Sequence, residues 1–139
     1  MPNQVNLKDK KLRATGVGPI DATTTYTSAI DLGHNNTTDD FVAPVEFLLT
    51  APALTTSQLA DTKTVTYSIV TDNDSAFGSL LALLPSVIVQ TGAGGAGAAA
   101  AEYRFRAPAN VERYLKGRAV GVASGGNASA ATFTLEVLS

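Results

Sequence analysis

Alternation of apolar and polar residues with period two recurs along the chain, and no segment replaces it with the 3.6-residue spacing of an amphipathic helix. Val65, Tyr67 and Ile69 alternate with threonine and serine in Lys63 to Thr71, which predicts a strand with one face buried. The same reading makes Glu102-Tyr103-Arg104-Phe105-Arg106 a strand stopped by Pro108, and Thr132 to Val137 a closing strand with its odd positions inward. Thr24 to Leu32 predicts a strand with Tyr26, Ser28, Ile30 and Leu32 on one face, ending in a turn at Gly33 to Asn36. Phe41 to Leu49, interrupted by Pro44, suits an edge or a bulge. Ser86 to Gln90 and Arg113 to Val120 complete the strands.

Between these elements, Leu54 to Thr62 reads as a loop or single turn. Phe77 to Leu84 reads as a short helical turn or a hydrophobic loop that ends at Pro85. Residues 1–22 are polar and contain Gly16, Gly18 and Pro19, so they predict an extended N-terminal arm before a single domain over residues 23–139. Many short strands separated by Gly, Pro and Asn turns, without βα alternation, predict an all-β antiparallel β-sandwich of jelly-roll type. Its core should include Tyr67, Ile69, Phe105, Phe133 and Leu135.

Composition narrows the chemistry. The 139 residues include no Cys, no Trp and one His, His34, so thiolate chemistry and disulfides are excluded and an imidazole pair is impossible. The first residues lack the apolar core of a signal peptide, and no apolar run is long enough to cross a bilayer, which predicts a soluble protein made without a signal peptide. The Asn-x-Ser/Thr sites at Asn35, Asn36 and Asn127 then read as polar loops.

Charge is uneven along the chain. Residues 1–13 carry Lys8, Lys10, Lys11 and Arg13 against Asp9, whereas residues 14–101 carry eight acids against Lys63 alone. Residues 102–139 are basic again, with Arg104, Arg106, Arg113, Lys116 and Arg118. On adjacent strands those five cations would form one positive patch. With the cations of the arm they are the candidate protein-interface residues.

Candidate catalytic motifs are thin. Gly92-Ala93-Gly94-Gly95-Ala96-Gly97 fits G-x-G-x-x-G, but the strand at Tyr103 leaves no room for the helix a dinucleotide site needs. It reads as a Gly/Ala hairpin loop. Asp72-x-Asp74 lacks the later oxygen ligands of a calcium loop and reads as an Asx turn. Adjacent Asp39 and Asp40 would face opposite ways on extended backbone, and His34 reads as a turn residue. No catalytic residue, cofactor or metal site is expected, and direct nucleic acid binding is not expected either.

Several stretches together resemble the jelly-roll capsid cement, or decoration, proteins of tailed bacteriophages. They are Ile30-Asp31-Leu32-Gly33, the strand and acidic turn from Tyr67 to Phe77, Arg113-Tyr114-Leu115-Lys116 after a proline turn, and Thr132 to Leu138. The resemblance implies a non-enzymatic virion protein, made in the host cytoplasm, that binds the outer surface of an icosahedral head and bridges neighbouring major capsid proteins. It implies the major capsid protein as a partner, together with self-association, a homodimer first and a homotrimer second. It implies no membrane and no small-molecule substrate. A carbohydrate- or receptor-binding β-sandwich module of a phage head or tail fibre is the alternative reading.

Overall fold

The structure, a computed structural model, describes residues 13–32, 46–106, 108 and 110–138. Lys8, Lys10, Lys11, His34, Asp39, Asp40, the sites at Asn35 and Asn36, and the first part of the expected strand at Phe41 to Leu49 lie outside them. The described residues form nine strands and no helix: β1 (Arg13–Val17), β2 (Thr24–Tyr26), β3 (Ile30–Asp31), β4 (Glu46–Ala51), β5 (Thr64–Asp72), β6 (Leu81–Thr91), β7 (Ala101–Arg106), β8 (Tyr114–Val120) and β9 (Thr132–Leu138). They make two antiparallel sheets, one in the order β1-β9-β4-β7, the other β2-β8-β5-β6 with β3 continuing the β2 edge along β8. The fold is an antiparallel β-sandwich.

The expected core residues Tyr67, Ile69, Phe105, Phe133 and Leu135 are buried. Phe47, Leu49, Phe105, Phe133 and Leu135 of one sheet meet Val65, Tyr67, Ile69, Leu115 and Ala119 of the other in a single buried cluster. Phe47 stacks on its cross-strand neighbour Phe105 at 5.3 Å, and Tyr67 meets Phe133 of the facing sheet edge-on at 5.4 Å. Gly117 lies between them, where a Cβ would come within 3.2 to 3.3 Å of Leu49, Phe133 and Thr27 side chains. A larger residue would push the sheets apart.

Three elements depart from the alternation. Residues 13–17, expected within the arm, form β1, which pairs with β9 from Arg13↔Glu136 to Val17↔Thr132. Its inward residues are small, Ala14 and Gly16, and Gly16 lies against the Tyr26 carbonyl and the Phe133 ring, so a strand without bulky apolar residues looked like an arm. The first expected strand is broken. Thr27 turns inward, donating its N–H to Gly117 O and accepting the Gly117 N–H on Oγ1, which leaves Tyr26 exposed while Ile30 is buried. The stretch Phe77 to Leu84, expected as a short helical turn or a hydrophobic loop, instead contributes Leu81 to Leu84 to an 11-residue edge strand. Between Tyr67↔Ile88 and Ile69↔Leu84 the partner strand β6 holds the extra residues in a bulge, and Pro85 sits there, where no ladder N–H is needed.

Four crossings between the sheets, residues 18–23, 52–63, 92–100 and 121–131, are knitted to one another. Asp21 N–H donates to Gly126 O, Asn127 N–H to Ser57 O, Ala60 N–H to Gly125 O, and Leu54 and Ala98 exchange two bonds of 2.9 Å. Buried Gln90 ties two of them from inside. Its Oε1 accepts the Tyr67 hydroxyl at 2.7 Å, and its Nε2 donates to Pro52 O at 2.7 Å and Ala99 O at 3.0 Å. Burial pushes the Tyr67 phenol well above its ordinary pKa, so it remains a donor.

Two substitutions test this packing. Phe133→Ala should lose about 3 to 5 kcal/mol in urea unfolding. Gln90→Ala should lose about 1 to 3 kcal/mol by stranding the Tyr67 hydroxyl, and adding Tyr67→Phe should cost less than it does in the wild type.

Candidate functional site

β7 and β8 belong to different sheets, so the five cations from Arg104 to Arg118 do not form one patch. The chain crosses the sandwich between Arg106 and Arg113, two residues only seven positions apart. Arg104 and Arg106 do share a face, the outer face of the first sheet, together with Arg13. There the strand register puts Arg13 opposite Glu136 and Arg106 opposite Glu46, while Arg104 lies opposite Leu48. Acids thus stand opposite two of its three cations, although neither pair closes to within 4 Å.

The outer face of the second sheet differs. Leu115, Gly117 and Ala119 point into the core, so Tyr114, Lys116 and Arg118 point out. Arg113, just before β8, makes a two-pronged pair with Asp31 of β3, Nε to Oδ1 at 2.9 Å and Nη2 to Oδ2 at 3.0 Å. Asp31 holds the guanidinium proton more firmly, yet both side chains are 46% exposed and the pair adds little stability. Lys116 has aromatic rather than acidic neighbours: its Nζ lies 4.2 Å from the Phe77 ring centroid and 5.5 Å from that of Tyr26. Arg118 lies opposite Tyr26 on one side and Ser68 on the other, and its Nε donates to Ser68 Oγ at 2.8 Å. No carboxylate of the described residues pairs with Lys116 or Arg118 within 4 Å.

The turn after β5 builds the rest of this face. Asp72 accepts the N–H of Asp74 on Oδ1 at 3.1 Å and that of Ser79 on Oδ2 at 2.8 Å, and Asp74 Oδ1 accepts the Ala76 N–H. The bonds to Asp74 and Ala76 are Asx turns, and the bond to Ser79 closes the longer loop. They deliver Phe77 beneath Lys116, 6.5 Å from the Tyr114 ring, with a backbone φ of 54°. A left-handed phenylalanine costs about 1 kcal/mol or more, and the Phe77 N–H bond to Asp74 O helps hold it. Asn73 continues the link, donating Nδ2 to Glu112 Oε2 and accepting the Arg113 N–H.

The glycine run is a turn with its anion position already filled. Gly94 and Gly95 have φ of 62° and 66°, Ala96 N–H donates to Ala93 O, and the Asp61 carboxylate accepts the Gly95 N–H at 2.9 Å. A type I′ turn of this kind needs positive φ at both central residues, which only glycine supplies without strain. A carboxylate where phosphate would sit opposes nucleotide binding. Asn127 Oδ1 likewise accepts from Ser129 N and Oγ in a local turn.

Sequence reasoning found Arg113, Lys116 and Arg118 but missed Tyr26, Phe77 and Asp31, which complete their surroundings. The signal for Tyr114 was present, since even positions 114, 116 and 118 share a face. Phe77 was marked only by being an aromatic residue in a turn. No protein-family model matches the chain, and no curated protein is significantly similar to it.

The Asp72 turn makes a pH prediction. The amides of Ser79 and Asp74 hold its carboxyl below the ordinary value of 3.8, so the ionised form stabilises the fold above that value and the contribution is lost as pH falls through the lowered pKa. Asp72→Asn should melt below the wild type at neutral pH and approach it as acid is added. Parallel melting curves from neutral pH to below 3 would show that these amides do not favour the carboxylate.

Proposed function

We propose that this chain is a capsid cement, or decoration, protein of a tailed phage, and that it docks the outer face of its second sheet on the major capsid protein. The observation that carries the reading is the pair Lys116 and Arg118, two cations without carboxylate partners on one sheet face of a chain with net charge −2. A surface rich in carboxylates is the complementary partner, and Arg118 offers a planar fork for it. The strand order supports the fold part of the resemblance. With β2 and β3 counted as one edge, the two sheets have four strands each, and the chain wraps between them as in a jelly roll. In this reading the protein is structural, acts at the outer surface of the virion, and has no substrate. Each copy can bind modestly because a lattice presents many equivalent sites.

The aromatic rings favour one further reading. Tyr26, Phe77 and Tyr114 beside polar groups would suit a carbohydrate- or receptor-binding module of a head or tail fibre. Phe77 and Tyr114 are tilted at 60°, however, and Lys116 covers Phe77, which makes a poor flat platform for a sugar ring.

Mixing the protein with empty heads, assembled from the major capsid protein of the genome that encodes it, tests the proposal. Wild type should bind with fixed stoichiometry and weaken as salt rises. The double substitution Lys116→Met with Arg118→Gln keeps the apolar stems and should remain folded while losing at least about tenfold in affinity, equivalent to roughly 1.4 kcal/mol. Undiminished occupancy by the folded variant would move attachment elsewhere. Binding to glycans without binding to heads would favour the module.

A further inference from the structure

The edges of the sandwich are not equivalent. Edge β7 carries Glu102, Arg104 and Arg106, edge β1 carries Arg13, and the β2–β3 edge carries Asp31 with Arg113 beside it. Such charges discourage further strands from adding to a sheet. Edge β6 has none. It lies within residues 75–101, a stretch of 27 residues without a single Asp, Glu, Lys, Arg or His. It is also the longest strand described, at 11 residues, and it exposes Val89 at 54% and Leu81 at 42%.

We infer that β6 is a self-association edge, which pairs with β6 of a second copy of this chain about a two-fold axis. Charge selects the occupant. A strand without charge offers nothing to attract an acidic or basic partner, but it meets an identical strand without placing like charges opposite each other. The other described edges carry ions that a two-fold contact would have to accommodate, apart from β2, which has only three residues. The body is acidic between residues 14 and 101, so copies approach with least repulsion where carboxylates are missing.

The shape of the edge limits what forms. Pro85 and the bulge divide β6 into two limbs, so it cannot present one long uninterrupted ladder. A two-fold pairing uses the same edge on both copies and closes on itself, giving a dimer rather than a filament. The lysine and arginine of the second-sheet face stay on β8, separated from β6 by β5. Self-association and docking therefore use different residues.

Sedimentation equilibrium of the isolated protein over a concentration series tests the inference without any capsid. Wild type should fit a monomer–dimer equilibrium. Val89→Lys should raise the dissociation constant about tenfold or more while leaving circular dichroism and melting of the monomer unchanged. Val17→Lys, at an equally exposed residue on β1, should dimerise as wild type does. Leu81→Lys tests the other limb and should also weaken the dimer. Amide exchange in β6 should slow as protein concentration rises. A monomeric wild type across the series, or a Val89→Lys dimer as tight as wild type, would overturn the assignment; loss of head binding by the Lys116 and Arg118 substitutions bears on the docking face alone.

Discussion

A phenol enclosed by apolar side chains must find an acceptor, and Tyr67 has one in Gln90. The same residue meets Phe133 edge-on across the sandwich, so it joins the two sheets by packing and fixes Gln90 by hydrogen bonding. Gln90 then spends its amide protons on Pro52 and Ala99 carbonyls, which belong to two separate crossings between sheets. Those crossings hold Leu54 against Ala98 and Asp61 against the glycine turn. Remove the acceptor, and a buried donor, two carbonyls and the ends of four strands lose their common reference. The knitted end of the molecule depends on this buried glutamine and its three hydrogen bonds.

Close approach is the second constraint, and it explains where the chain needed small residues. Gly117 lets Leu49 and Phe133 reach β8, and its backbone exchanges bonds with Thr27, where the edge strand breaks. That break frees Tyr26 from the inward face and leaves it beside Lys116 on the outer one. A packing requirement in the core thus shapes the exposed surface one layer away. Gly16 does the same at the other corner, where Ser28 N–H reaches Thr15 O and ties the two sheets' edges together.

Period-two alternation made the central strands legible, because Val65, Tyr67, Ile69, Phe105, Phe133 and Leu135 are large and face one side. The same rule was blind where burial is achieved by smallness. Ala14 and Gly16 carry no hydrophobic signal, so β1 passed for an arm. It also misread Leu80 to Leu84, since an apolar run before a proline suits a helical turn as well as a bulged edge strand, and only pairing with β5 decides between them. Individual strand faces were readable at the candidate site: Lys116 with Arg118, Arg104 with Arg106. Which sheet each strand joins was not, because sheet order is a property of distant pairings and leaves no mark on seven intervening residues.

Sheet order also decides what each cation can do. On the first sheet the register supplies Glu46 and Glu136 opposite Arg106 and Arg13, at more than 4 Å. On the second, Arg113 is taken by Asp31, while Lys116 is set over rings and Arg118 against a serine. Aromatic faces attract an ammonium without neutralising it, and a hydroxyl leaves the remaining guanidinium donors for another acceptor. Two such cations stand together on an acidic chain, with the strained Phe77 beneath Lys116. The residues directly across from them carry no carboxylate: Lys116 lies across from Val70, and Arg118 between Tyr26 and Ser68, while Asp31 and Asp72 flank Tyr114 one outward position further along β8.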